Sequence, residues 1–128
     1  MSAASRERGA TMVEFVGASI VIVLAMLTIA QVAVWIWSRN VAISAAHEGA
    51  RNAAETGRPL SDGQTVAAQI VRDGVGSSSS SWRIVASQSG SEVAVVVQGE
   101  SPQLIPILPS FPISARAIAL DEDLVFAQ

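Results

Sequence analysis

The longest apolar run in the chain covers residues 15–37 and contains no ionisable side chain. As an α-helix, these 23 residues extend for about 35 Å, whereas the hydrocarbon core of a bilayer is about 30 Å thick. Trp35 and Trp37 stand at the far end of the run, where aromatic side chains are enriched at membrane–water interfaces. The pattern therefore predicts a transmembrane helix over residues 15–37.

The helical pattern continues beyond the apolar run as a stripe of small side chains. Positions three and four apart are neighbours on a helix, and two such rows together contain Ala42, Ala45, Ala46, Gly49, Ala50, Ala53 and Ala54. Glu48 and Arg51 lie on the other side. One helix is therefore predicted from about residue 11 to 56. Its small-residue face suits either pairing with another helix in the membrane or packing under the chain's own C-terminal part, and the two uses are compatible.

The remainder of the chain predicts a small α/β domain over residues 58–128. Apolar residues recur at helical spacing over residues 62–73, and a run of five serines at residues 77–81 suggests a flexible linker. Alternating and valine-rich segments at residues 82–87 and 92–98 indicate an antiparallel hairpin. Residues 113–120 form a third strand, and the order of the three strands stays open.

The segment between the last two strands is rich in proline and cannot be a central strand. It is predicted to be an extended, irregular loop over residues 102–112. Its large apolar side chains are expected to lie against the domain; they are Leu104, Ile105, Ile107, Leu108 and Phe111. The fold class predicted from the whole pattern is α+β, with a long N-terminal helix packed on a small antiparallel three-stranded sheet.

Composition argues against an enzyme, a metal protein or a nucleic-acid binder. The chain has eight arginines and no lysine against 11 acidic residues, giving a net charge of −3. It has no cysteine and a single histidine, His47, without a second metal ligand in view. It shows no glycine-rich phosphate loop and no spacing of carboxylates that suggests catalysis. No cofactor, no metal and no catalytic residue is expected.

Polar residues in the apolar helix are the remaining candidates for specific contacts. Ser19 and Thr28 are expected to hydrogen-bond to their own helix backbone, which leaves Gln31 as a candidate contact to another helix. Glu14 stands at the edge of the apolar run, where a charged carboxylate is costly unless another group pairs with it. If the chain were cut after Gly9, the new α-ammonium group of Ala10 would lie four residues before Glu14.

The N-terminal third of the sequence resembles the TadE-like family. Residues 8–15 read RGATMVEF, and the apolar run is followed by AAHEGAR at residues 45–51. A basic leader over residues 1–9, the Gly9–Ala10 bond and the Glu14–Phe15 pair also resemble the class III signal of type IV prepilins. The resemblance covers about 45 residues closely, and the rest of the chain agrees only as a short β-containing domain.

The resemblance implies a non-enzymatic minor pilin or pseudopilin of an Flp/Tad tight-adherence system, with a pilin-like fold. A prepilin peptidase would cut after Gly9, and the helix of residues 10–57 would then assemble with other Tad pilins at an inner-membrane platform. Glu14 and Phe15 would act in assembly, and Glu14 would neutralise a neighbour's N-terminus. The five residues assigned to helix packing are Ala42, Ala46, Gly49, Ala50 and Ala53.

Arg6 and Arg8 favour a cytoplasmic N-terminus, which would make residues 58–128 extracytoplasmic, in a single-pass protein of the cell membrane or the pilus surface. Two alternatives stay open. The first is an uncleaved single-pass anchor that presents a small binding module. The second is a secreted enzyme or effector released by signal peptidase near residues 30–33, although the apolar run is long for a secretory signal.

Overall fold

The computed structural model describes residues 3–55 and 58–121. The elements follow in the order α1 (Ala3–Ala54), α2 (Leu60–Val75), a 3-10 helix (Gly76–Ser81), β1 (Arg83–Ser89), β2 (Glu92–Glu100) and β3 (Pro112–Leu120). The three strands form one antiparallel sheet in the order β1-β2-β3. The predicted α+β fold, a long N-terminal helix packed on a small three-stranded sheet, is confirmed.

Helix α1 is longer at its N-terminal end than the pattern predicted. It begins at Ala3 rather than near Thr11. Residues 3–10 contain alanine, arginine and glutamate, which favour helix, and a single glycine, Gly9, which a helix tolerates at a cost of about 1 kcal/mol. The predicted C-terminal end near Thr56 lies outside the described residues, and the last helical residue described is Ala54.

The sheet is built from a tight hairpin followed by a longer return. Ser89 pairs with Glu92 across a two-residue turn. Gly90 has a φ of 60°, and no residue other than glycine has a positive φ in the part of the chain that is described. This combination fits a type II′ turn, which matches the twist of the flanking strands. The irregular loop then brings β3 back beside β2.

The core lies between the second half of α1, helix α2 and one face of the sheet. Helix α1 packs on β2 and β3, and α2 packs on β1. Helix α1 contributes mainly alanine to the core. The central strand, β2, contributes Val93, Val95 and Val97, which are completely buried. Small side chains on the helix therefore face larger ones on the sheet, a combination that fills a core at close packing.

Two glycines let α1 and α2 approach closely. A Cβ atom on Gly49 would lie 2.9 Å from the carbonyl oxygen of Gly63. A Cβ atom on Gly63 would lie 2.5 Å from the carbonyl oxygen of Gly49 and 2.6 Å from Cβ of Ala53. Near the other end of α2, Gly74 lies against Val41, so the two helices run antiparallel. The AAHEGAR segment therefore contributes a nearly flat helix surface.

One prediction about a polar segment needs correction, and the two tryptophans make contacts that the pattern did not predict. The serine run forms a 3-10 helix and not a flexible linker. The hydroxyl groups of Ser80 and Ser81 donate hydrogen bonds to the carbonyl oxygens of Ser77 and Ser78 and help to stabilise it. Trp35 packs against the core, and Nε1 of Trp37 donates a hydrogen bond to the Gly74 carbonyl at 2.9 Å. Both indoles therefore contact the domain as well as facing outward.

The helix crossing makes Gly63 sensitive to any side chain. We expect Gly63→Ala to lower the free energy of unfolding by about 1–3 kcal/mol, because the added methyl group meets backbone and Ala53. Thermal unfolding in detergent, followed by the near-UV circular dichroism of the tryptophans, measures this. Gly17→Ala is the matched control, since its Cβ meets nothing within 4 Å. A Gly63→Ala protein as stable as the wild type would contradict the close crossing.

Candidate processing and assembly site

The predicted cleavage site lies on an exposed part of α1. Gly9 and Ala10 are both solvent-exposed and helical, and a Cβ atom on Gly9 would meet nothing within 4 Å. The hydroxyl of Thr11 donates a hydrogen bond to the Glu7 carbonyl at 2.9 Å, inside the same helix. A peptidase that takes an extended chain must therefore unwind the end of α1, where fraying costs little because no tertiary contact is lost.

The Glu14 carboxylate is exposed and makes no ion pair or hydrogen bond with any other residue in the described ranges. Ala10 lies four residues earlier, on the same side of the helix. A positive group at Ala10, or one supplied by another chain, would therefore find Glu14 available. Phe15, next to it, is one of the most exposed large apolar side chains of the protein.

The N-terminal half of α1 projects beyond the folded domain with its apolar surface uncovered. Within the described residues, α1 is the one helix long and apolar enough to cross a membrane. Only 6% of its most apolar 18-residue window is buried. Ser19 and Thr28 donate hydrogen bonds to the carbonyl oxygens of Phe15 and Leu24, so the prediction for these two hydroxyls is confirmed. The exposed surface is thus almost purely apolar and fits a membrane anchor.

The five residues assigned to helix packing lie in the interior of the chain's own domain. All are buried; they are Ala42, Ala46, Gly49, Ala50 and Ala53. They face α2 and the inner side of the sheet, whereas Glu48 and Arg51 form an exposed ion pair at 3.6 Å on the opposite side of α1. The small-residue face is therefore covered within one chain, and the free helical surface is the segment before residue 31.

Gln31 contacts the proline-rich loop of its own chain rather than another helix. Its side chain is 2% exposed. Nε2 donates a hydrogen bond to the Pro102 carbonyl at 2.9 Å, and Oε1 accepts one from the Leu104 amide at 2.7 Å. Both ends of the amide are thus used, and the loop is fastened to α1 inside the apolar run. Sequence reasoning singled out Gln31 but gave no indication of this partner, which lies about seventy residues away.

The prediction that all the apolar side chains of the loop lie against the domain is wrong. Ile105 is buried, but Leu104, Ile107 and Phe111 are exposed by 47%, 87% and 40%. Residues 105–108 form a turn in which the Leu108 amide donates a hydrogen bond to the Ile105 carbonyl. Ile105 points inward from this turn, and Ile107 is left outside. An exposed apolar loop beside an exposed apolar helix was the feature that the sequence pattern did not reveal.

No group of three or more histidine and carboxylate side chains that could hold a metal ion occurs among the described residues. His47 lies on the exposed side of α1. Asp121, at the end of β3, accepts a hydrogen bond from Nε2 of Gln88 at 2.8 Å and helps close the hairpin end of the sheet. The rest of the predicted acidic end, Glu122 and Asp123, lies outside the described residues.

Taken together, these features define a class of protein with one exposed apolar helix that fits a membrane anchor and a small α+β domain built on its second half. The family model of TadE-like proteins matches residues 9–51. The match begins at Gly9 and ends at Arg51, the last residue of the AAHEGAR segment, and covers about a third of the chain. The resemblance to the TadE-like family is thereby confirmed, and it implies a pseudopilin associated with Tad pili.

No curated protein and no solved structure matches the chain significantly. The match to the family model ends before α2 begins. What the family indicates therefore applies to the first helix, and the geometry of the sheet and its loop comes from this structure.

Gln31 provides a direct test of the contact between helix and loop. Gln31→Ala leaves the Leu104 amide and the Pro102 carbonyl without partners, at a cost of about 1–3 kcal/mol. We expect the Leu104 amide to exchange its hydrogen about tenfold faster or more, as measured by nuclear magnetic resonance in detergent. Gln98→Ala, which removes an exposed glutamine from β2, should leave this rate unchanged. Equal rates in both variants would show that Gln31 does not hold the loop.

Proposed function

We propose that this protein is a non-enzymatic minor pilin, or pseudopilin, of an Flp/Tad tight-adherence pilus system. In this proposal a prepilin peptidase cuts after Gly9, and the mature subunit assembles with other Tad pilins through its N-terminal helix. The observation that carries the proposal is the exposed apolar half of α1, which begins with an unpaired Glu14 and lies within the TadE-like match. A subunit of this shape presents one helix to its neighbours and keeps a folded domain outside.

The packing of the domain limits which part of α1 can pair with another helix. Because the small-residue face after residue 41 is covered by α2 and the sheet, the proposal assigns helix-to-helix contacts between subunits to residues 10–30. This segment carries Phe15 and a nearly continuous apolar surface. A carboxylate at its start would be neutralised by the α-ammonium group of a neighbouring Ala10, and this pairing would fix the axial register of two helices.

The topology proposed here is single-pass, with residues 1–9 cytoplasmic and residues 58–128 extracytoplasmic. Arg6 and Arg8 lie on the N-terminal side of the apolar helix, as the positive-inside rule requires. The folded domain then stands on the outer face of the membrane or on the pilus surface. This position would allow it to take part in adhesion.

One observation favours a second candidate, an uncleaved anchor that presents the domain as a binding module. Helix α1 runs without interruption through residues 3–10, so the leader is not set apart structurally from the rest of the helix. The two candidates differ in the mature N-terminus, which makes that terminus the first measurement.

Intact mass and N-terminal sequencing of the membrane-associated protein test the processing step. We expect a chain that begins at Ala10 in cells with the native prepilin peptidase, and a full-length chain when the peptidase gene is deleted. Gly9→Val should also block cleavage. Because a side chain at position 9 has open space in the structure, this loss would reflect recognition by the peptidase and not a folding defect. Gly17→Val, at an equally open position, is the control and should be cut normally. Uncut wild-type protein would favour the anchor.

Glu14→Ala tests the assembly step separately. Losing a pairing worth about 1.4 kcal/mol lowers an association constant about tenfold, so recovery of the subunit with pili should fall by that order. Glu48→Ala removes a carboxylate from the exposed side of the same helix and should assemble normally. Cleavage and membrane level are measured in parallel for both variants. Normal assembly of the Glu14→Ala protein would overturn the role given to this carboxylate.

A further inference from the structure

The loop between β2 and β3 carries an apolar surface beside the exposed half of α1. Residues 101–111 contain no ionisable side chain, and Ile107 is 87% exposed. We propose that this loop is a second membrane contact, held by Gln31 at the level where the bilayer ends, with Leu104, Ile107 and Phe111 inserted among the lipids. The proposal rests on the membrane anchorage of α1 proposed above and adds a contact that the helix alone does not supply.

The position of Gln31 along α1 sets the height of the loop. At 1.5 Å per residue, Gln31 lies about 9 Å before the end of the apolar run at Trp37. A hydrocarbon core of about 30 Å needs about 20 helical residues. The uncharged run supplies that length over residues 15–34, which puts Gln31 about 5 Å inside the outer end of the core. The loop therefore stands where the hydrocarbon gives way to headgroups, and residues 32–37 lie at the level of the loop and not in the middle of a span.

The backbone of the loop is suited to this boundary. Irregular backbone exposed to hydrocarbon is not tolerated, because unpaired N–H and C=O groups cost several kcal/mol each. Three residues of the loop are prolines, which have no N–H group; they are Pro102, Pro106 and Pro109. Three of the remaining amides are paired: Ser101 with the Phe111 carbonyl, Leu104 with Gln31, and Leu108 with the Ile105 carbonyl. The other five amides have no partner among the described residues, so the loop fits the boundary, where headgroups and water can pair with them, and not the interior of the hydrocarbon.

The lipid-facing surface of the helix continues onto the loop without a charged residue between them. An open recess of about 260 Å³ lies between Val32, Trp35 and Phe111. Val32, which lines the recess, and Ile36, one turn further along α1, are both exposed. Apolar surface at an interface binds in proportion to the area that it buries among the lipids. The Glu100 carboxylate, which accepts a hydrogen bond from the Ser110 hydroxyl at 2.8 Å, lies at the base of the loop, where β2 ends. The continuity of the apolar surface with the span points to lipid as the occupant rather than a second protein.

Three single-cysteine variants test the proposal, because the chain has no cysteine of its own. Each full-length variant is labelled with an environment-sensitive fluorophore and reconstituted at one copy per phosphatidylcholine nanodisc. Ile107→Cys reports on the loop, Ile22→Cys on the apolar helix, and His47→Cys on the exposed side of α1 about 24 Å beyond Gln31. All three side chains are exposed, so the substitutions leave the core intact. Doxyl-labelled lipid quenches a fluorophore among lipids, and iodide quenches one in water.

We expect the label at position 107 to be quenched by lipid doxyl groups and to be about threefold or more less accessible to iodide than the label at position 47. If position 22 is quenched by doxyl lipid and position 107 behaves like position 47, the loop proposal is overturned while anchorage stands. If position 22 is not quenched either, anchorage fails and the loop contact fails with it. Shielding of position 107 from iodide without doxyl quenching would mean that protein covers the loop, which also overturns the proposal.

The role of Gln31 is measured in the same discs. In a Gln31→Ala background, the doxyl quenching at position 107 should fall by about half or more, because the loop loses its two hydrogen bonds to α1. Gln98→Ala is the matched control and should leave the quenching unchanged. Quenching that persists fully in the Gln31→Ala background would overturn the assignment of Gln31 as the residue that holds the loop at the bilayer.

Discussion

The small-residue face of α1 packs directly against helix α2, and this contact organises the whole domain. Gly49 and Gly63 place two backbones so near each other that neither position accepts a side chain without movement. This contact holds α2 antiparallel to α1 and lets both helices cover one face of the sheet. Every other element, from the 3-10 helix to the returning strand β3, is positioned by that two-helix platform.

The same contact divides α1 into two parts with different partners. Beyond residue 41, the helix is committed to its own domain, and its alanines meet the valines of β2. Before residue 31, the helix has no tertiary partner among the described residues, and its surface is apolar except near its beginning. A single continuous helix thus contributes to the core of a domain with its second half and exposes an apolar surface with its first half. Glu14 lies at the N-terminal end of that apolar surface.

Gln31 lies between these two parts, at the point where the loop between β2 and β3 contacts α1. A buried amide inside an apolar run needs partners for both its donor and its acceptor, and the Pro102 carbonyl and the Leu104 amide supply them. The consequence extends beyond one residue. The loop becomes a fixed feature at a defined height on α1, and its uncovered apolar side chains extend the surface that the helix presents.

Local patterns in the sequence are enough to predict the long helix, its apolar first half, the hairpin and the third strand, because each of these depends on periodicity and turn chemistry. The sequence also shows the TadE-like resemblance, since RGATMVEF and AAHEGAR are contiguous residues. Three contacts emerge only from the folded chain: α2 covers the small-residue face, Trp37 donates a hydrogen bond to the Gly74 carbonyl, and Gln31 holds a loop about seventy residues away. These contacts join positions far apart in the chain, and periodicity shows which face of an element is apolar but not which element covers it.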